Sequence, residues 1–118
     1  MKNYLKKRVA AFSYAFKGIW YLFSHEPHAI IHLCIAAGVV AAGFLFRINS
    51  MEWCAICLCI GSVFMAEGFN TALEKLADKI TKEEDPLIGT AKDVAAGAVL
   101  LMAIATVVVG CVIFIPKL

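Results

Sequence analysis

The chain has 118 residues, of which 62% are hydrophobic and only 17% are charged, and its formal net charge is +2. A domain of this size cannot bury so large an apolar share in water, so the composition excludes an ordinary soluble enzyme or binding module. The apolar residues fall into three blocks, at 29–46, 53–73 and 94–115. Each is close to the roughly 20 residues that a helix needs to cross the hydrocarbon of a bilayer. We therefore predict a single all-α integral membrane domain over residues 1–118.

The segment before the first block, residues 1–24, predicts an amphipathic helix on the membrane surface. Its apolar side chains recur at steps of three or four from Leu5 to Phe23, with lysines such as Lys6 and Lys17 between them. Such a helix can rest its apolar face in the headgroup region while its lysines meet anionic lipid or a phosphate-bearing ligand. We expect the segment to be retained, because no small-residue cleavage site follows a short apolar stretch.

Transmembrane helices are predicted at 27–46, 52–80 and 91–115. Pro27 suits the first turn of a helix, and Glu26 just before it sets a carboxylate at the edge of the membrane. The second helix is long enough to project beyond the bilayer into a charged stretch.

Two connections join these helices. Ser50 or Glu52 is expected to cap the second helix after a short turn. Residues 81–91 combine three carboxylates with a proline and a glycine, which predicts a polar connection before the third helix starts at Ala91 or Lys92.

The positive charges predict the orientation in the membrane. Of the 11 Lys and Arg residues, only Arg47 and Lys117 lie outside the N-terminal segment and the surroundings of the 81–91 connection. Loops that stay in the cytoplasm carry the excess of Lys and Arg. We therefore expect the N-terminus and the long connection to face the cytoplasm.

Neither the cysteines nor the histidines are expected to form a disulfide framework or a metal site. All five cysteines lie within apolar blocks, where a thiol behaves as a small hydrophobe, so neither a disulfide framework nor a metal cluster is favoured. His25, His28 and His32 follow each other at steps of three and four and could bind a transition metal. A set of wet interfacial histidines is the favoured interpretation.

The most informative stretch is a polar stripe on the second helix, formed by Glu67, Asn70, Glu74 and Asp78. At 100° per residue these side chains fall within an arc of about 80° on one helix face. A charge inside a membrane helix costs on the order of 2.5 to 3.5 kcal/mol, so several on one face indicate a metal ion, protons or a protein partner. Asp78 alone could be part of a solvated turn, whereas Glu67 lies about two turns deeper than Glu74.

Hard oxygen ligands favour Mg²⁺, which keeps water or phosphate oxygens in its remaining positions, and Glu26 with Glu74 form a plausible pair. Lys92 and Asp93 add a cation and a carboxylate at the start of the third helix, where the helix terminus favours anions. Gly89 and Lys92 do not form a Walker sequence. A nucleotide, if bound, would therefore bind without a P-loop.

Two other classes remain open from the residues alone. A small oligomeric ion or proton conduit would also bury carboxylates, but it should carry polar residues across the full membrane depth. The outer halves of these helices are nearly free of them. A membrane-anchored scaffold that binds through the basic N-terminal helix leaves Glu67 unexplained.

An ordered set of residues spans almost the whole chain: Glu26, then Glu67-x-x-Asn70-x-x-x-Glu74-x-x-x-Asp78, then Ala91-Lys92-Asp93. This order resembles the prokaryotic diacylglycerol kinase family. The stretches 67–74, 91–99 and 114–118 look especially like its undecaprenol kinase branch. The resemblance implies a homotrimer with active sites shared between subunits, in which Mg²⁺ supports transfer of the ATP γ-phosphate to a membrane lipid alcohol. It also implies a bacterial cytoplasmic (inner) membrane location and no nucleic-acid partner.

The resemblance implies a role for each matching residue. Glu67 matches the proposed general base, Glu26 and Glu74 match metal ligands that also contact the nucleotide, and Asn70 and Asp78 match supporting polar residues. Further nucleotide contacts match Lys92 and Asp93, and also Lys7, Tyr14, Glu83, Glu84 and Asp85. His32 stands where the diacylglycerol-specific branch has a glutamate, as in the undecaprenol-like branch. Undecaprenol is therefore the favoured acceptor, with diacylglycerol as the alternative.

Overall fold

A computed structural model describes all residues, 1–118, as helices joined by short connections. The helices are α1 (Lys2–His25), α2 (Pro27–Leu45), α3 (Ser50–Ile80) and α4 (Pro86–Phe114), and a 3-10 turn (Ile115–Lys117) ends the chain. Three segments, α2, α3 and α4 with its final turn, are long and apolar enough to cross a membrane. The predicted all-helical membrane architecture with three spanning helices is therefore confirmed.

The four helices form an open, flat arrangement with extents of 50 × 46 × 21 Å. The most extensive contact runs between α3 and α4, while α2 packs along α3. The helix α1 is exposed along nearly all of its length before Tyr21, and Leu22 is its buried residue. Only 11 of the 118 residues are buried. Most of the apolar surface of a single chain must therefore face lipid or another protein surface.

A small core closes the end of the molecule that holds the α2–α3 turn. Ile48, Ile56 and Ile113 are buried together there. Next to them, Lys117 Nζ donates to Glu52 Oε2 at 2.8 Å. This ion pair fastens the C-terminal turn to the first turn of α3.

The cap of α3 differs from the prediction. Asn49, rather than Ser50 or Glu52, is the capping residue. The Asn49 side chain accepts from the Glu52 N–H at 2.9 Å, and the Asn49 N–H donates to Glu52 Oε1 at 3.0 Å. Glu52 is thus the reciprocal partner in a capping box, which satisfies two N–H groups that the helix itself leaves free.

The predicted start of the last helix at residue 91 is wrong, because α4 begins at Pro86. The Asp85 side chain accepts from the N–H groups of Leu87 and Ile88 at 2.9 and 3.1 Å. Proline is well suited to the first helical position, since its missing N–H is not needed there. Asp85 therefore has a structural role as the cap of α4.

Gly43 allows α2 and α3 to approach closely beside the turn. A Cβ atom at this position would lie 2.6 Å from Trp53 Cη2 and 3.1 Å from Ile48 Cδ1. We expect Gly43→Ala to lower the stability of the protein by about 1 to 3 kcal/mol, the usual cost of overpacking. Thermal unfolding in detergent measures it. Gly38→Ala on the same helix is the matched control, because a Cβ there meets nothing within 4 Å. An equal melting temperature for both variants would contradict the packing argument.

Candidate active site

The polar stripe of α3 passes from a dry to a wet environment. Glu67 is buried, Asn70 and Glu74 are half-buried, and Asp78 is exposed near the end of the helix. The depth of each side chain therefore differs along one face. A carboxylate at the dry end keeps its charge only if another group compensates for it.

The compensating group for Glu67 is His32, which projects from α2. His32 Nε2 lies 3.2 Å from Glu67 Oε1, and the two side chains are 22% and 6% exposed. No other hydrogen bond or ion pair reaches the Glu67 carboxylate. The interpretation of His32 as a wet interfacial histidine is therefore wrong. Counting residues from the α2–α3 turn does not pair these two side chains, because His32 is about one helical turn closer to it than Glu67.

One to two turns further along α3, the side chains of Asn70 and Glu74 contact each other. Asn70 Nδ2 donates to Glu74 Oε1 at 3.4 Å. Asn70 Oδ1 is buried and has no hydrogen-bond partner. A buried oxygen without a hydrogen-bond partner, next to a carboxylate, offers the kind of oxygen ligands that a hard cation such as Mg²⁺ prefers.

Glu26 lies at the junction of α1 and α2, where it ends the first helix and caps the second. Near this junction, the Lys75 ammonium of α3 lies 5.2 Å from the centre of the Tyr21 ring of α1. The end of α1 therefore lies against the turn of α3 that carries Lys75.

The residues of one chain form no closed metal site. No group of three or more His, Cys, Asp or Glu side chains converges to hold a metal ion. Mg²⁺ typically takes only one or two protein carboxylates and fills the rest with water and phosphate oxygens. The five cysteines are free thiols. Magnesium binding by Glu26 and Glu74 therefore stays a prediction.

At the end of α3, Asp78 is joined to α4. Lys92 Nζ donates to Asp78 Oδ1 at 2.9 Å. Lys92 also lines an open cleft of about 560 Å³ formed by the α3–α4 connection, together with Thr81, Lys82, Glu83, Glu84, Asp85, Pro86, Ile88 and Gly89. The lining carries three carboxylates and two lysines, so its formal charge is negative.

Most of the sequence that forms these helices matches one known protein family. A model of the prokaryotic diacylglycerol kinase family matches residues 13–114. The chain belongs to the prokaryotic diacylglycerol kinase family. This confirms the family that the order of polar residues predicted, and a kinase as the class of enzyme.

Two relatives in this kinase family align with the chain. It is 39% identical over 117 residues to an undecaprenol kinase of Bacillus subtilis, which covers 99% of this chain and 95% of the relative. It is 35% identical over 111 residues to a diacylglycerol kinase of Synechocystis sp., which covers 93% of this chain and 63% of that relative. Both lipid kinase branches considered from the sequence are thus represented among its relatives.

Some residues of the kinase site predicted from the sequence stand apart in a single chain. Lys7 and Tyr14 lie on the exposed part of α1, and neither forms a hydrogen bond or ion pair with another helix. Lys17 Nζ of the same helix lies 5.6 Å from the centre of the Tyr14 ring. Asp93 is exposed beside Lys92 and lies outside the lining of the cleft. One chain therefore brings together the residues of α2, α3 and α4 but not those of α1.

Proposed function

We propose that this kinase uses ATP and Mg²⁺ to phosphorylate a membrane lipid alcohol, with undecaprenol favoured and undecaprenyl phosphate as its product. The observation that carries the proposal is the buried Glu67 carboxylate on a spanning helix. The same helix face carries Asn70 and Glu74 and then, at its exposed end, Asp78 with its partner Lys92. A reaction between a lipid and a nucleotide needs this combination of depths.

The acceptor hydroxyl needs a base. An alcohol oxygen attacks phosphorus well only if its proton is accepted as the new bond forms. Glu67 is the one buried carboxylate on α3. It can therefore meet the hydroxyl of a lipid whose chain stays in the bilayer.

The phosphate groups need neutralisation and alignment, which carry most of the rate acceleration in phosphoryl transfer. Lys92 lies at the cleft of the α3–α4 connection and offers a cation to them. Asp78 holds its ammonium in place. Glu26 and Glu74 would hold the magnesium ion, which when bound would neutralise phosphate charge, and Asn70 orients Glu74.

The active unit in this proposal is a homotrimer whose sites are shared between subunits. Its support is that one chain leaves most of its apolar surface uncovered and keeps Lys7 and Tyr14 away from the other site residues. A neighbouring subunit would bring an α1 helix to the cleft. In this arrangement α1 is the amphipathic helix that lies on the membrane surface.

The proposed location is the bacterial inner membrane, with the N-terminus and the active site in the cytoplasm. The Lys and Arg residues cluster around α1 and the α3–α4 connection. The opposite end carries Arg47 and the Lys117–Glu52 ion pair. This asymmetry is the usual mark of the cytoplasmic side.

Diacylglycerol is the second candidate acceptor, because one relative is named a diacylglycerol kinase. The two are separated by giving the purified protein undecaprenol, diacylglycerol and ceramide in parallel mixed micelles with Mg²⁺ and ATP. We expect the highest initial rate with undecaprenol. A higher rate with diacylglycerol would favour the alternative. ATP consumption that no lipid alcohol stimulates would overturn the kinase proposal.

A further inference from the structure

One ionisable side chain in the site has no role in the proposed reaction. His32 of α2 lies against the Glu67 carboxylate of α3, with 3.2 Å between Nε2 and Oε1. It is the only side chain that forms a hydrogen bond or ion pair with Glu67 in the chain. The other two histidines differ: His25 stacks on Tyr21, and His28 is exposed and forms no hydrogen bond.

We propose that His32 is the positioning residue of the general base. Its Nε2–H donates to Glu67 Oε1, restricts rotation of the carboxylate and leaves Oε2 for the hydroxyl of the acceptor. The inference rests on the role of Glu67 in the proposed function. His32 acts through Glu67 and does not itself exchange a proton with the lipid.

The need for such a donor follows from the burial of Glu67. An ionised carboxylate removed from water is costly unless it accepts a hydrogen bond. A carboxyl group that has instead kept its proton cannot accept another from the alcohol. His32 is the side chain that supplies this hydrogen bond.

No other hydrogen-bond donor in the chain reaches the Glu67 carboxylate. His32 also lines a cavity of about 50 Å³ between α2, α3 and α4, and eight of the ten lining residues are hydrophobic. Besides His32, its only polar lining residue is Thr106, on α4. An apolar neighbourhood of this size does not supply the hydrogen-bonding partners that a replacement water needs.

The proton balance of the step is simple. As the alcohol oxygen forms its bond to the γ-phosphorus, the bond from that phosphorus to the ADP oxygen breaks, and the alcohol proton passes to Glu67 Oε2. His32 keeps its own proton and its hydrogen bond to Oε1 throughout. Glu67 returns its proton to solvent after the phosphorylated lipid leaves.

The test compares three variants of the full-length protein in lipid mixed micelles. His32→Leu removes the donor, and we expect kcat to fall about 10- to 100-fold, the loss typical of a misplaced reacting group. The KM for ATP should stay unchanged, because the nucleotide residues lie elsewhere. His32→Gln keeps an N–H close to the position of Nε2 and should recover most of kcat. His28→Leu is the matched control and should behave as the unmodified protein.

The outcomes separate this inference from the function on which it rests. If Glu67→Gln is inactive while His32→Leu turns over at the full rate, His32 has no positioning role and the proposed function stands. If Glu67→Gln is fully active, the base assignment itself fails. Equal loss of kcat in His32→Leu and His32→Gln would overturn the donor role. Melting temperatures in detergent, measured for every variant, report whether that loss comes from folding.

Discussion

Replacing Glu67 with Gln should lower turnover by about 10²- to 10⁴-fold, the usual contribution of a general base. The substitution removes the negative charge but keeps the shape of the side chain. The amide oxygen can still accept from His32 Nε2, which lies 3.2 Å from Oε1. The fold should therefore survive while the proton acceptor is lost. Initial rates in lipid mixed micelles and the elution volume in detergent measure the two properties separately.

The matched control for this substitution is Glu52→Gln on the same helix. Glu52 lies at the opposite end of α3, in the ion pair with Lys117. It has no contact with the candidate site, so its variant should keep turnover at temperatures where the protein stays folded. Full activity of purified Glu67→Gln protein would remove Glu67 from the role of base.

Much of the fold was predictable because lipid imposes it. In the bilayer core every backbone polar group must find an internal partner, so each apolar block has to become a helix. The helical period also identified the face of α3 that carries Glu67, Asn70 and Glu74. The structure adds how deep each of these side chains lies, from buried Glu67 to half-buried Glu74.

The cap of α3 and the start of α4 were predicted wrongly because neighbouring residues carry competing signals for a helix start. Asn49 and Ser50 are both good caps and stand side by side, and only the reciprocal bonds with Glu52 distinguish them. At the other connection, Pro86 follows three carboxylates, and this composition favours a loop. The same proline at the first helical position, just after Asp85, is a start signal once the side-chain bonds of Asp85 are known.

The pairing of His32 with Glu67 could not be derived from periodicity. Helical spacing relates residues on one helix, whereas this contact depends on how far α2 is shifted along α3. The close approach at Gly43 and Trp53 fixes that register near the turn. The positions of Lys7 and Tyr14 relative to the site could not be predicted for a different reason. The exposed part of α1 that carries them reaches no other part of the site in one chain.

The second large effect concerns the metal. We expect Glu26→Gln and Glu74→Gln each to raise the Mg²⁺ concentration for half-maximal activity by about 10-fold or more, because each removes an anionic oxygen from a hard cation. Geometry should change little at Glu74, since a Gln oxygen can still accept from Asn70 Nδ2. Turnover at saturating Mg²⁺ should recover in part.

Glu52→Gln is the control that removes a carboxylate of α3 far from the proposed metal site, because Glu52 lies at the other end of the helix. Its Mg²⁺ titration should match that of the unmodified protein. Mn²⁺ titrations followed by electron paramagnetic resonance, with a non-hydrolysable ATP analogue present, give a readout that does not depend on turnover. Weaker Mn²⁺ binding in both variants is the expected result. Titrations of Mg²⁺ and Mn²⁺ that are unchanged in both Glu26→Gln and Glu74→Gln would mean that these carboxylates hold no ion, and that the unpartnered oxygen of Asn70 serves another purpose.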